Sequence, residues 1–194
     1  VCEWIRPLES KHKVLILQHP QEPDKDLGSA RIAHLCLPNS TLKIGLSWPN
    51  FKNALGQEAS TQHWAVLYLG SGIKKNPETL SSVSKPGLHL VNKKGNLLPD
   101  ESLIMKKLEG IVLLDGTWSQ AKTLWWRNAW LLKLRRAILI PTKKSLYREL
   151  RKEPRGECLS TLETLAQSLS ELGEPKETEA HLTQVFSKLL DKRR

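Results

Sequence analysis

Twelve residues near the middle of the chain, Ile111-Val112-Leu113-Leu114-Asp115-Gly116-Thr117-Trp118-Ser119-Gln120-Ala121-Lys122, restrict the folds open to it more than any other stretch. Four apolar residues read as a short buried strand, and Asp115-Gly116 is a turn signal. Thr117 with Gln120 three places on then has the capping-box form that opens a helix. In open α/β sheets built from such units, ligands bind outside the carboxyl ends of the strands, and Asp115 stands at that end. Two uses for it are open here: facing a ligand, or helping to cap the next helix.

The rest of the chain supplies further units of the same kind. Residues 14–18 predict a first buried strand that ends at His19-Pro20. His19 is either a ligand-site residue or a structural histidine at a strand end. Residues 29–37 predict a short helix with Ile32, Ala33, Leu35 and Cys36 on its apolar side, 41–46 a strand closed by Trp48-Pro49, and 51–58 a weak helical turn. Trp64-Ala65-Val66-Leu67-Tyr68-Leu69 predicts a strand ending in Gly70-Ser71-Gly72, where glycines serve a close cofactor approach or an ordinary turn equally well. Residues 88–91 predict an edge strand, 99–108 a short helix, 137–140 a strand broken by Pro141, and 177–190 a final amphipathic helix. Ser160 with Glu163 repeats the capping-box pattern, so a helix is expected from there to about residue 172, and its start is a natural anion site. At 194 residues the chain suits a single domain, with residues 1–13 as an irregular arm.

Composition, with 39% hydrophobic and 26% charged residues, is that of a globular chain. No apolar run approaches the roughly 18 residues needed to cross a bilayer, and no secretory signal pattern is present, so a cytoplasmic protein without a membrane partner is expected. Cys2, Cys36 and Cys158 are odd in number and widely spaced, which suits neither a disulfide framework nor a four-ligand zinc site; no metal is expected. Cys158 is open between a reactive thiol and simple packing.

The formal net charge of +10 is concentrated. Residues 119–155 hold eleven Lys or Arg against two Glu, a net of +9. Such a block favours a polyanion, and nucleic acid more than a membrane. The helix expected from Thr117 to about residue 133 places Trp118, Ala121, Trp125, Ala129 and Leu132 toward the sheet, and Lys122, Trp126, Trp130 and Lys133 along another side. If exposed, that strip holds phosphates and stacks on an unpaired base; the alternative buries Trp126 and Trp130 under the C-terminal helices. Arg127, Arg135, Arg136, Lys143 and Lys144 complete the cations assigned to nucleic acid.

Taken together, these residues resemble the DTW-domain family. Asp115-Gly116-Thr117-Trp118 followed by Gln120-Ala121-Lys122 is similar to its signature. The resemblance extends to Leu17-Gln18-His19-Pro20 with Glu22, to Ala30-Arg31 with Leu35 and Leu37, and to Arg155 with Cys158-Leu159-Ser160-Thr161-Leu162-Glu163. These blocks keep the family's order over about 150 residues, which a lone Asp-x-Trp match would not. The resemblance implies a tRNA-uridine aminocarboxypropyltransferase that uses S-adenosylmethionine to place a 3-amino-3-carboxypropyl group on uridine N3 and releases methylthioadenosine. It also implies a SPOUT-like α/β fold, a parallel sheet with helices on both faces and a deep C-terminal trefoil knot. Two departures stand out. Only Cys2 precedes Arg6-Pro7 where many relatives carry a cysteine-rich zinc segment, and Leu69-Gly70-Ser71-Gly72 replaces an acidic Pro-Ser-Glu-Asp-like stretch.

Combined with the resemblance, the strand and helix ends give an expected site. S-adenosylmethionine would lie among Leu69, Gly70 and Ser71, then Leu113, Leu114, Gly116, Thr117 and Trp118, then Leu159, Ser160 and Thr161, with Arg155 and the late helix start anchoring its carboxylate. Asp115 would take the N3 proton. Two other readings remain at this point: the same transfer to a ribosomal uridine or pseudouridine, and a non-catalytic RNA-binding module on the same fold.

Overall fold

The computed structural model describes residues 2–22, 28–67, 85–142, 145–146 and 159–191. Six strands, β1 (Lys13–Gln18), β2 (Ser40–Ile44), β3 (Trp64–Leu67), β4 (Gly87–Val91), β5 (Gly110–Asp115) and β6 (Arg135–Ile140), form one sheet in the order β2-β1-β5-β3-β6-β4. The first five in that order are mutually parallel. β4 departs from the expected parallel arrangement: it closes one edge antiparallel to β6, with Gly87 opposite Ile140 and Val91 opposite Arg136. It lies at the edge, where a strand has only one neighbour to match.

The central strands are apolar throughout because both faces of the sheet are covered. Their side chains alternate between two cores. Val14, Ile16, Ile111 and Leu113 point into one, with Ala65 and Leu67 of β3. Helices α1 (Ser29–Cys36), α5 (Thr161–Glu171) and α6 (Lys176–Asp191) cover that face. Leu15, Leu17, Val112, Trp64 and Val66 point into the other, beneath α2 (Phe51–Leu55) and α4 (Trp118–Arg127). A sixth helix, α3 (Glu101–Lys106), precedes β5. Gly110 opens β5 because nothing larger fits: a Cβ there would lie 2.6 Å from both the Lys13 carbonyl oxygen and the Trp64 ring.

Helix α4 is shorter than its sequence suggests. It stops at Arg127, and residues Ala129–Lys133 form a separate 3-10 turn. Asn128, fully buried, supplies the reason. Its amide donates to the carbonyls of Leu124 and Leu46 at 2.7 and 3.0 Å, and its oxygen accepts from the Trp48 backbone at 2.9 Å. Those bonds end the helical ladder and re-phase the residues beyond it. Trp130 and Leu131 turn inward, whereas Ala129 and Leu132, expected to face the sheet, are exposed.

The amino-terminal arm is fastened rather than loose. Trp4, Ile5 and Leu8 pack on the first core, and the Leu8 backbone donates to the Cys36 carbonyl at 2.8 Å. The buried His12 ring lies 2.6 Å from Glu174 after α5, while Arg6 pairs with Glu177 at 2.7 Å in solvent. Exposed pairs of the second kind contribute about 0–1 kcal/mol, so the packing and the buried pair hold the arm. Cys36 sits under it as a core residue, with burial pushing its thiol up to about 11.

Candidate active site

Because β1, β5, β3 and β6 run parallel, their carboxyl ends share one rim of the sheet. The loop from Gln18 to Glu22 and the turn from Asp115 to Thr117 meet there, and α5 starts against them. Gln18 and Asp115 are register partners on neighbouring strands. Both are buried, at 3% and 6% exposure, so their polar ends need hydrogen-bond partners within the protein. The Gln18 amide donates to Asp115 Oδ2 at 2.8 Å. From the other side the Thr161 hydroxyl donates to Asp115 Oδ1. The His19 backbone donates to the Asp115 carbonyl at 3.0 Å.

Asp115 does not cap the next helix. Thr117 caps α4, accepting from the Gln120 backbone at 3.4 Å while Gln120 Oε1 accepts from Thr117 N at 2.7 Å. The Asp115 carboxylate instead joins β1, β5 and α5. Gly116 keeps the turn tight: φ is 156°, and a Cβ would come within 2.9 Å of Gln120 Cβ, the capping side chain itself. The Gln120 amide also reaches Gln21 at 3.2 Å, tying the two rim loops together. His19 accepts from the Gln21 backbone through Nδ1 at 3.3 Å, which makes it an organiser of its own turn.

The α5 start is held with equal care. Ser160 and Glu163 form a complete capping box. The buried Glu163 carboxylate also accepts from the Ser145 hydroxyl at 2.9 Å and the Leu146 backbone at 2.7 Å. Leu162, Leu165, Ala166 and Leu169 bury the helix's apolar stripe. At about 1.5–3 kcal/mol for each fully buried leucine, packing fixes the helix and leaves its polar first turn to face the rim.

Of the residues expected around a cofactor, Gly116, Thr117, Trp118, Leu159, Ser160 and Thr161 lie at this rim, and Leu114 is half-buried just below it. Leu113 does not line it; the strand pleat turns its side chain into the core at 3% exposure. Leu69, Gly70, Ser71 and Arg155 lie outside the described residues, as do Lys143, Lys144 and Cys158.

The expected nucleic-acid strip is divided. Trp126 is 80% exposed, one helical turn beyond exposed Lys122. Trp130 is 7% exposed, stacked on Phe51 with ring centroids 5.4 Å apart, its Nε1 donating to the Trp48 carbonyl at 3.1 Å. A base has no access to that ring, because the break at Asn128 rotated it inward. Arg127 and Lys133 are exposed. Arg135 and Arg136 are half-buried at the opposite rim: Arg135 is level with Ala65, itself level with Ile111. That is four residues, about 13 Å of strand, from Asp115. Arg136 lies 5.4 Å over the Trp125 ring.

Gln18 is the member of this arrangement that sequence reasoning left without a role. The available signal for Gln18 was a polar residue closing an otherwise apolar central strand. Among the described residues no group of three or more His, Cys, Asp or Glu is placed to hold a metal ion, and no helix is long and apolar enough to cross a membrane.

Three known proteins are similar to this chain. A mouse (Mus musculus) protein named tRNA-uridine aminocarboxypropyltransferase 2 is 31% identical over 168 residues, 86% of this chain and 49% of its own length. Proteins of the same name from Macaca fascicularis and Drosophila melanogaster are 30% and 32% identical over 172 and 166 residues, 88% and 82% of this chain and 51% and 56% of theirs. The chain thus spans about half the length of the curated relatives it matches. No solved structure matches it. The DTW domain matches residues 1–194, and with the rim built from the Asp115-Gly116-Thr117-Trp118 turn, the chain belongs to the DTW-domain family.

Proposed function

We propose that this chain transfers a 3-amino-3-carboxypropyl group from S-adenosylmethionine to N3 of a uridine in tRNA. The observation that carries the reading is the buried bridge from Gln18 through Asp115 to Thr161, which joins two segments distant in sequence at one rim. The relatives named for this reaction support it. When bound, S-adenosylmethionine supplies an electrophilic γ-carbon and a thioether leaving group. The residues at the rim suit such a ligand: a carboxylate favours a nearby sulfonium, and the first amides of α5, which the helix itself cannot satisfy, suit the methionine carboxylate. Gly116, Thr117, Trp118, Leu159 and Ser160 would hold it, with Leu69, Gly70, Ser71 and Arg155 completing the set.

Asp115 serves as the proton acceptor for N3, so that the nitrogen lone pair attacks the γ-carbon as the carbon–sulfur bond breaks. Fixed placement of the γ-carbon, rather than the methyl, before that nitrogen selects the product. Lys122, Trp126 and Arg127 grip the RNA near the site, and Lys133, Arg135, Arg136, Lys143 and Lys144 extend the footprint. The SPOUT-like knot belongs to the same reading. In its favour is the return of the chain from β6 to the tip of β5, two strands away. The domain is read as one unit, cytoplasmic, with tRNA and S-adenosylmethionine as its partners and no metal.

The test is mass spectrometry of nucleosides from separate tRNA and rRNA pools incubated with the protein and cofactor labelled in the aminocarboxypropyl chain. Labelled uridine from tRNA, with methylthioadenosine released, is the expected result. Asp115→Asn is expected to lower turnover by about 10²-fold or more while calorimetry still shows cofactor binding. Label in rRNA alone redirects the substrate, S-adenosylhomocysteine indicates methyl transfer, and absence of cofactor binding by folded protein indicates a binding module.

A further inference from the structure

We propose that Thr161, rather than Asp115, is the group that touches the uridine, passing the N3 proton inward to Asp115 while Gln18 fixes the far carboxylate oxygen. The inference rests on the aminocarboxypropyl-transfer reading and assigns the contact that selects the base.

Three observations lead to it. Asp115 is 6% exposed, so a nucleobase at the rim cannot meet its carboxylate directly. Thr161 is half-buried, more open to solvent than the carboxylate its hydroxyl meets. Its hydroxyl proton is committed to Asp115 Oδ1, and a hydroxyl whose one proton points inward offers only lone pairs outward. Such an oxygen accepts from an N–H. The imide N3–H is the one N–H on the pairing edge of uracil; cytosine has an unprotonated acceptor nitrogen there. The geometry therefore favours uridine over cytidine at the point of contact.

The neighbours hold the relay in this sense. An amide N–H only donates, so Gln18 keeps Oδ2 as an acceptor and leaves Oδ1 to receive the proton. Gln18 is thus a positioning residue. Thr161 is the first residue of α5, whose start is held by Ser160, Glu163, Ser145 and Leu146, so its hydroxyl has little freedom to turn. In the step itself the N3–H bond breaks as an O–H bond forms on Thr161, and the hydroxyl's own proton moves to Asp115 Oδ1. The N3 electron pair bonds to the γ-carbon, and the carbon–sulfur pair leaves on sulfur as neutral methylthioadenosine. Asp115 later returns the proton to water, which balances the positive charge the sulfonium brought.

The test compares the full chain with Thr161→Val and Thr161→Ser under single turnover across pH, on uridine-containing RNA and on the same RNA carrying 5-fluorouridine, whose N3 is more acidic. Calorimetry with S-adenosylmethionine is run on each variant. Thr161→Val is expected to lose about 10²-fold or more in rate at neutral pH with cofactor affinity unchanged, to gain rate steadily as pH rises, and to recover partly on 5-fluorouridine. Thr161→Ser, which keeps the hydroxyl, is expected to retain most of the rate. Gln18→Leu is expected to shift the pH profile more than the RNA KM. Equal rates for Thr161→Val and wild type overturn this inference alone. So does a loss that tracks weakened cofactor binding and ignores 5-fluorouridine, which makes Thr161 a cofactor ligand. A wild-type chain that forms no aminocarboxypropyl nucleoside overturns both this inference and the function it rests on.

Discussion

Trp126→Ala and Trp130→Ala separate two roles played by indoles four residues apart, on either side of the break at Asn128. Trp126 has its ring in solvent, so its removal is expected to leave the melting temperature unchanged and to weaken RNA binding by about 1–3 kcal/mol, as the loss of one stacked base would. Trp130 fills space between Phe51 and the sheet, so its removal is expected to cost about 3–5 kcal/mol of stability. Filter binding and denaturant titration on both variants distinguish the two. Loss of RNA affinity in neither would remove α4 from the interface. The single-residue view also bears on Asp115→Asn. The new amide would direct a donor toward either the Gln18 amide or the Thr161 hydroxyl, so its melting curve has to accompany its kinetics.

At the scale of elements, Asn128 sets where α4 ends, and its three hydrogen bonds reach two segments. Asn128→Ala is expected to destabilise the chain by about 1–3 kcal/mol for each buried backbone partner left unsatisfied. Hydrogen exchange should open first at residues 46–48 and at the end of α4; protection unchanged there would contradict the assignment. This is also where the sequence was hardest to read. Periodicity found every described strand to within two residues, because buried apolar runs such as 14–18 and 111–114 have no other stable use. Both capping boxes were equally plain, since their partners lie three residues apart. The inward turn of Trp130 was not, for it depends on contacts between Asn128 and residues 80 and 82 positions away in the chain. Gln18 was missed for the same reason: its partner is 97 positions on, and only the strand order brings them level.

For the whole molecule, acid is expected to act in two stages. Burial, and then the charge of Arg6, hold the His181 imidazole below its ordinary value of 6.5, outweighing the Arg6 backbone bond and Glu177, which favour the proton. The unfolded chain therefore binds that proton first as pH falls below 6.5, and stability drops there. Burial pushes Glu174 up, but hydrogen bonds from the His12 backbone, the His12 ring and the Lys11 backbone, with the His12 charge, outweigh it and hold the carboxyl below 4.5. Its contribution is complete above 4.5 and is lost as pH falls further. Thermal melts across this range should show both stages, with His181→Leu removing the first; a melting temperature flat down to 4.5 in the wild type would exclude the His181 effect.

The fastening of residues 4–12 has a practical corollary. His12 is held by Glu174 after α5, and from there the arm runs back along α6, past Glu177 at Arg6, to Trp4, whose ring lies 6.0 Å under the Lys188 ammonium. Cutting residues 2–8 away should thus bare the apolar surface that Trp4, Ile5 and Leu8 cover and lower the melting temperature, while leaving the Gln18–Asp115–Thr161 contacts in place.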